Sequence, residues 1–273
     1  MKKYIGALVM LALSCILVFS ACGNNNDTAA TQWQMPERLV MGTSAGFFPF
    51  EFIAQEGEAI IGRYAGVDIS LVYRIGQELG VEIEILDMAF PGLIMALQAR
   101  EVDFVAAAMT IRPDRAEMVN FSIPYFNTAT SGQFIVVRDD STVESMQDLV
   151  GGIVGVQIGT TGDFAVTDST LVLQEIVRLD QPAHSVPGLL SGSLDAFVID
   201  GSVARALATS HDGLRAFPDV DFFGPEQYGM AFHLEDLELL AAFNEVLERL
   251  VAEGYVDYLY AWYISEFAPP DAD

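Results

Sequence analysis

Apolar and polar positions along the chain follow two rhythms. A period of two runs through Val81-Glu82-Ile83-Glu84-Ile85-Leu86, which predicts a strand. Arg38 to Thr43 and Gln133 to Val137 also read as strands. Phe104 to Ala108 is apolar or small without a break, the pattern of a strand buried on both faces. A helical period takes over elsewhere. Ile69, Val72, Tyr73, Ile75, Gly76 and Leu79 share one face of a predicted helix that stops at Gly80. Leu93 to Arg100 predicts a second helix, and Leu237 to Val251 an amphipathic one. Strands that alternate with helices indicate an α/β chain. The segment from Leu97 to Ala107 runs helix, acidic turn, buried strand, and the segment from Val186 to Asp200 repeats it. The chain therefore holds two similar βαβ halves.

Composition narrows the class. A length of 273 residues suffices for one large domain or two lobes, and 52% hydrophobic with 19% charged residues is globular. The formal net charge of −25 argues against nucleic acid, whose binding rests on neutralising phosphates. It equally argues against a purely electrostatic hold on anionic lipid. The two lysines, Lys2 and Lys3, both lie at the N-terminus.

The N-terminus is patterned differently. Met1-Lys2-Lys3 is a positive start, Ile5 to Phe19 is apolar, and Ser20-Ala21-Cys22 closes the segment with small residues. This predicts a secretory signal over residues 1–21. A cysteine directly after small residues resembles a bacterial lipobox, which would make Cys22 a lipidated N-terminus on the outer face of the membrane. A plain secreted protein with a chance cysteine is the alternative. Cys15 leaves with the signal, so the mature chain would have no internal disulfide. Residues 22–34 are polar and aperiodic, and read as a tether.

The candidate chemistry gathers at strand ends. After Phe104–Ala108 the chain continues Met109-Thr110-Ile111-Arg112-Pro113-Asp114-Arg115. Pro113 suits the first turn of a helix. Arg115, at the carboxyl edge of a sheet, can grip a carboxylate with two parallel hydrogen bonds. Alternatively it pairs with Asp114 or Glu117. Gly159-Thr160-Thr161-Gly162 is a small-residue turn before a helix, able to hold a carboxylate on free N–H groups or to serve as an N-cap. Asp200 ends a buried strand, where an acid is either a ligand group or the cap of the next helix. No metal-ligand spacing, phosphate loop or G-x-S-x-G elbow is present in the sequence, so no metal or cofactor is expected.

These motifs resemble family 3 of the bacterial extracellular solute-binding proteins, the amino-acid receptors of ABC importers. Met109–Arg115 is similar to the family's M-T-I-T-P-E-R, with Arg112 in place of threonine. Val119-Asn120-Phe121-Ser122-Ile123-Pro124-Tyr125 is similar to V-D-F-S-x-P-Y, and the stretch from Gly42 to Phe52 to its first-strand signature. The resemblance covers about residues 38–267. It implies an α/β, two-lobed periplasmic-binding-protein type II fold, each lobe a mainly parallel sheet flanked by helices, with a two-strand hinge. The first lobe would comprise residues 35–130 and 227–273, the second residues 131–226, with crossings near 130–134 and 223–227.

The same resemblance implies the site. Arg115 would bind the ligand α-carboxylate with help from Thr110, and Asp200 the α-ammonium. Phe47 and Phe90 would wall the cleft, although Phe90 also reads as a hydrophobic staple at a helix start. Gly159, Thr160 and Thr161 would reach the ligand from the second lobe, and Ala108 and Ser44 complete the set. Many amino-acid receptors carry aspartate where this chain has Ser44, a departure that argues against a cationic or glutamine-like ligand. The implied protein is a monomeric, non-enzymatic, lipid-anchored receptor that closes on an amino acid and meets a membrane permease. Two alternatives share the fold: a cyclohexadienyl-type dehydratase and the sensing subunit of a signalling system.

Overall fold

The computed structural model describes residues 33–129 and 132–267. The expected signal, Cys22, most of the tether, and Thr130 and Ser131 of the expected hinge lie outside the described residues.

Two five-stranded sheets organise the chain, and they are built alike. In the first, Glu82–Asp87, Arg38–Thr43 and Phe104–Val105 run parallel, then Ala231–Phe232 and Asn120–Phe121 follow with antiparallel pairings. In the second, Glu175–Leu179, Ile153–Gln157 and Ala196–Asp200 run parallel, then Gln133–Arg138 and Leu214–Pro218 follow antiparallel. The parallel strands come from the βαβ rhythm of the sequence. The antiparallel fourth strand of each sheet is the one the chain enters after leaving the other sheet. Just before those arrivals, Phe126–Asn127 and Gln227–Tyr228 pair with each other, Tyr228 opposite Phe126. This pairing begins a few residues ahead of the expected crossing at 130–134.

Helices cover both faces of the first sheet. Val67–Leu79 ends at Gly80, whose left-handed φ of 69° closes the helix. Its apolar stripe packs with Leu237–Ala252 and Tyr255–Phe267 on a core that includes Phe50, Phe104, Phe232 and Phe243. Leu93–Gln98, two residues shorter than the pattern predicts, covers the opposite face through Leu93 and Leu97. The second sheet likewise has a cluster on each face, one around Val154 and Val198, the other around Phe197 and Leu207. Burying each such side chain contributes roughly 1.5–3 kcal/mol. Among the described residues no helix is long and apolar enough to cross a membrane.

Candidate functional site

The expected strand Phe104–Ala108 stays buried throughout, but its ladder stops at Val105. The reason is Ala108, which adopts φ 44°, a left-handed conformation that costs a non-glycine residue energy. The bend is held by the buried Asp68, whose Oδ2 accepts from the Ala108 N–H at 2.8 Å and from the Tyr125 hydroxyl at 2.8 Å. Asp68 is pushed up to about 7, by burial first, against those two donors. The turn delivers Thr110 and then a single helical turn, Pro113–Ala116, that starts at the proline.

That turn carries Arg115, 4% exposed. Its guanidinium donates to the Thr110 carbonyl at 2.9 Å and to the Gly159 carbonyl at 3.2 Å, and sits 5.2 Å from the centre of the Phe90 ring. The ion pair of Arg115 with Asp114 or Glu117 does not form. Asp114 takes Arg112 instead, at 2.9 Å, because the two side chains lie on the outer side of the turn while Arg115 points inward. Burial, then the neighbouring Arg112, lowers Arg115 to about 10, so it stays charged at neutral pH.

The second sheet meets it with Thr161–Thr167, capped by Thr160, whose hydroxyl oxygen accepts from the Asp163 N–H. Gly159 has φ 73°, and a Cβ there would stand 3.1 Å from Pro91 Cγ, so glycine lets the two sides approach. Its N–H is tied to the Asp163 carboxylate at 3.0 Å. Asp200 caps the helix Gly201–Ser210 through Oδ1, which accepts from the Ser202 N–H at 2.9 Å. Its Oδ2 is buried without a partner. Burial, then Glu226, pushes Asp200 up to about 7.

Phe47, Phe90, Ala108, Thr110, Arg115, Thr160, Thr161 and Asp200 all line one cleft. Ser44 and Gly159 do not line it. Ser44 is buried, and Gly159 contributes its carbonyl to Arg115. Ala107, Gln133, Ile199 and Tyr228 complete the lining without having been singled out in the sequence. Glu226 was also missed, and it accepts from Thr110 and Gln133. Such partners lie 116 and 93 residues away, with no local motif to mark them. Glu51 is a further unmarked acid. It is fully buried, its Oε2 has no partner, and its carboxyl is pushed well up by burial and then by Asp68, Asp200 and Asp87. Among the described residues no group of three or more His, Cys, Asp or Glu could hold a metal.

The sequence profile of the bacterial extracellular solute-binding proteins, family 3, matches residues 39–266. The chain belongs to that family. The arginine-binding extracellular protein ArtP of Bacillus subtilis is 32% identical over 272 residues, covering 97% of this chain and 100% of ArtP. Among solved structures, the arginine-bound form of a truncated ArgBP from T. maritima is 40% identical. The match covers 78% of this chain and 96% of that one, with a TM-score of 0.71. The ancestral amino-acid-binding protein AncCDT-1, described as a precursor of cyclohexadienyl dehydratase, is 32% identical with a TM-score of 0.74. That match covers 83% of this chain and 95% of that one. The family membership places the chain outside the cytoplasm.

Proposed function

We propose that this protein captures an amino acid outside the cytoplasm by closing two lobes around it and delivers it to the membrane permease of an ABC importer. The observation that carries this reading is the pairing of opposites in one cleft. A buried guanidinium comes from the first sheet's side and a buried carboxyl with an unpartnered oxygen from the second. An α-amino acid carries both complementary charges on one carbon. A cleft that excludes water must meet both, because an unpaired buried charge costs several kcal/mol. Arg115 takes the carboxylate and Asp200 the ammonium. Phe47 and Phe90 wall the side chain, with Thr160 and Thr161 on the far side. The lobes are residues 35–130 with 227–273, and residues 131–226, joined where the chain crosses.

The ligand we favour is arginine, the amino acid given by the names of ArtP and ArgBP. Titration with arginine, lysine, histidine and glutamine tests this, with arginine expected to bind most tightly.

Retention at the membrane would come from a lipid on Cys22, and the receptor would act as a monomer. The likeness to AncCDT-1 keeps one enzymatic reading in play, because Asp200 near 7 can hold a proton in the cleft. The protein acts as a receptor without catalysis, and turnover of prephenate or arogenate would overturn this.

A further inference from the structure

We propose that Glu226 is a positioning residue that fixes the hydrogen-bond direction of Thr110, so that Thr110 offers the cleft an acceptor for the ligand's ammonium. This rests on the amino-acid reading above. It arises from the contacts Glu226 makes with three residues at the place where the chain crosses between the sheets. Glu226 Oε2 accepts from the Thr110 hydroxyl at 2.6 Å, and Oε1 accepts from the Gln133 side-chain N–H at 2.9 Å. Thr110 lies on the first sheet's side, and Gln133 opens a strand of the second. The Glu226 backbone is clamped as well. Its N–H donates to the Thr128 hydroxyl at 2.6 Å, and its carbonyl accepts from the Thr128 N–H at 2.9 Å.

The placement of the carboxyl group is built, not incidental. A Cβ on Gly132 would stand 2.3 Å from Glu226 Cδ, so the carboxyl fills the space that any other residue at 132 would need. Its charge is felt at both ends of the ligand site, at Arg115 and at Asp200.

A hydroxyl has one proton and two lone pairs. Thr110 spends its proton on Glu226, so the oxygen it turns to the cleft can only accept. An acceptor suits an ammonium and repels a carboxylate. The Thr110 hydroxyl therefore works with Asp200 on the ammonium. Glu226 acts through Thr110 and need not touch the ligand. Its amide counterpart would behave differently. In Glu226→Gln the side-chain N–H₂ can donate to Thr110, which frees the hydroxyl proton to point at the ammonium.

The test is a ligand-by-variant cycle in titration calorimetry, using arginine and its des-amino analogue, 5-guanidinopentanoate. Glu226→Gln is expected to weaken arginine about 10- to 100-fold, the range for a hydrogen bond to a charged group. It should leave the des-amino analogue within about threefold of the parent, since that ligand has no ammonium to meet. Thr110→Val, which keeps Glu226, should lose the same discrimination and make Glu226→Gln silent in its background, and it answers the question if Glu226→Gln does not fold. Equal losses for both ligands, no loss for arginine, or an unchanged discrimination in Thr110→Val overturns the role of Glu226. A parent that binds the two ligands equally overturns the amino-acid reading itself, and this inference with it.

Discussion

The Arg115 guanidinium donates to the Gly159 carbonyl at 3.2 Å, joining the loop after one sheet's strand to the turn after the other's. A second N–H of the same group is held by the Thr110 carbonyl at 2.9 Å. Two fixed carbonyls thus orient a fork that a ligand carboxylate can meet, with the Phe90 ring packed beside it. Arg115→Ala is expected to lose roughly 2–5 kcal/mol of ligand affinity, the cost of truncating one partner of a buried charged pair. Arg115→Lys should recover only part of it, because an ammonium lacks the fork. Calorimetry on both variants checks the order, and equal affinity in Arg115→Ala and the parent would make Arg115 a structural residue.

Asp200 predicts a pH dependence. In the ligand-free protein its carboxyl is raised to about 7 by burial and then by Glu226, and an ammonium ligand needs it ionised. Affinity should therefore rise with pH up to about 7 and level off above it. Well below that point it should fall about tenfold per pH unit. Competition binding between pH 5 and 8 measures this, and a flat profile would contradict it.

The same residue ties recognition to stability. A carboxyl raised in the folded state contributes stability below its ordinary range near 4, and that contribution is lost as pH rises through about 7. Asp200→Asn keeps the cap on Ser202 and removes the buried charge. At pH 8 the ligand-free variant should melt a few degrees above the parent, a gap that closes toward pH 5. Ligand binding should weaken in the same variant. A melting point that falls at pH 8 would contradict the account.

Arg112 stands where the family usually has threonine, and it reaches a helix on the second sheet's side. Its guanidinium lies 4.6 Å from the centre of the Phe164 ring, on the helix Thr161–Thr167. A cation over an aromatic ring contributes about 0.5–1 kcal/mol at a partly exposed site. Arg112→Thr should therefore release ligand about two- to fivefold faster in stopped-flow experiments. An unchanged dissociation rate would show that the contact does not hold the closed form.

Much of the frame was legible from periodicity, because strands and helices that bury one face must repeat at two or 3.6 residues. The helix that stops at Gly80 and the strand Arg38–Thr43 are examples. The place of each sheet's fourth strand was not: Gln133–Val137 read as a strand, but its antiparallel partners Ala196–Asp200 and Leu214–Pro218, like the partners of Ala231–Phe232, lie far off in sequence. The site divides the same way. Arg115 and Asp200 sit at strand ends within motifs, so their placement could be read locally. Glu226, Gln133 and Tyr228 enter only through long-range contacts. Ala108 carried no sign of its left-handed turn, because the Asp68 carboxylate that holds it lies 40 residues earlier.

The most direct test of the central claim uses three ligands that differ only at the α-carbon. Arginine carries both charges there, agmatine lacks the carboxylate, and 5-guanidinopentanoate lacks the ammonium. Titration calorimetry on the unaltered protein should show that arginine binds and that each truncated ligand binds at least about 30-fold more weakly, one charged contact having been lost in each. Agmatine binding as tightly as arginine would contradict the account, because Arg115 would then have no carboxylate to hold.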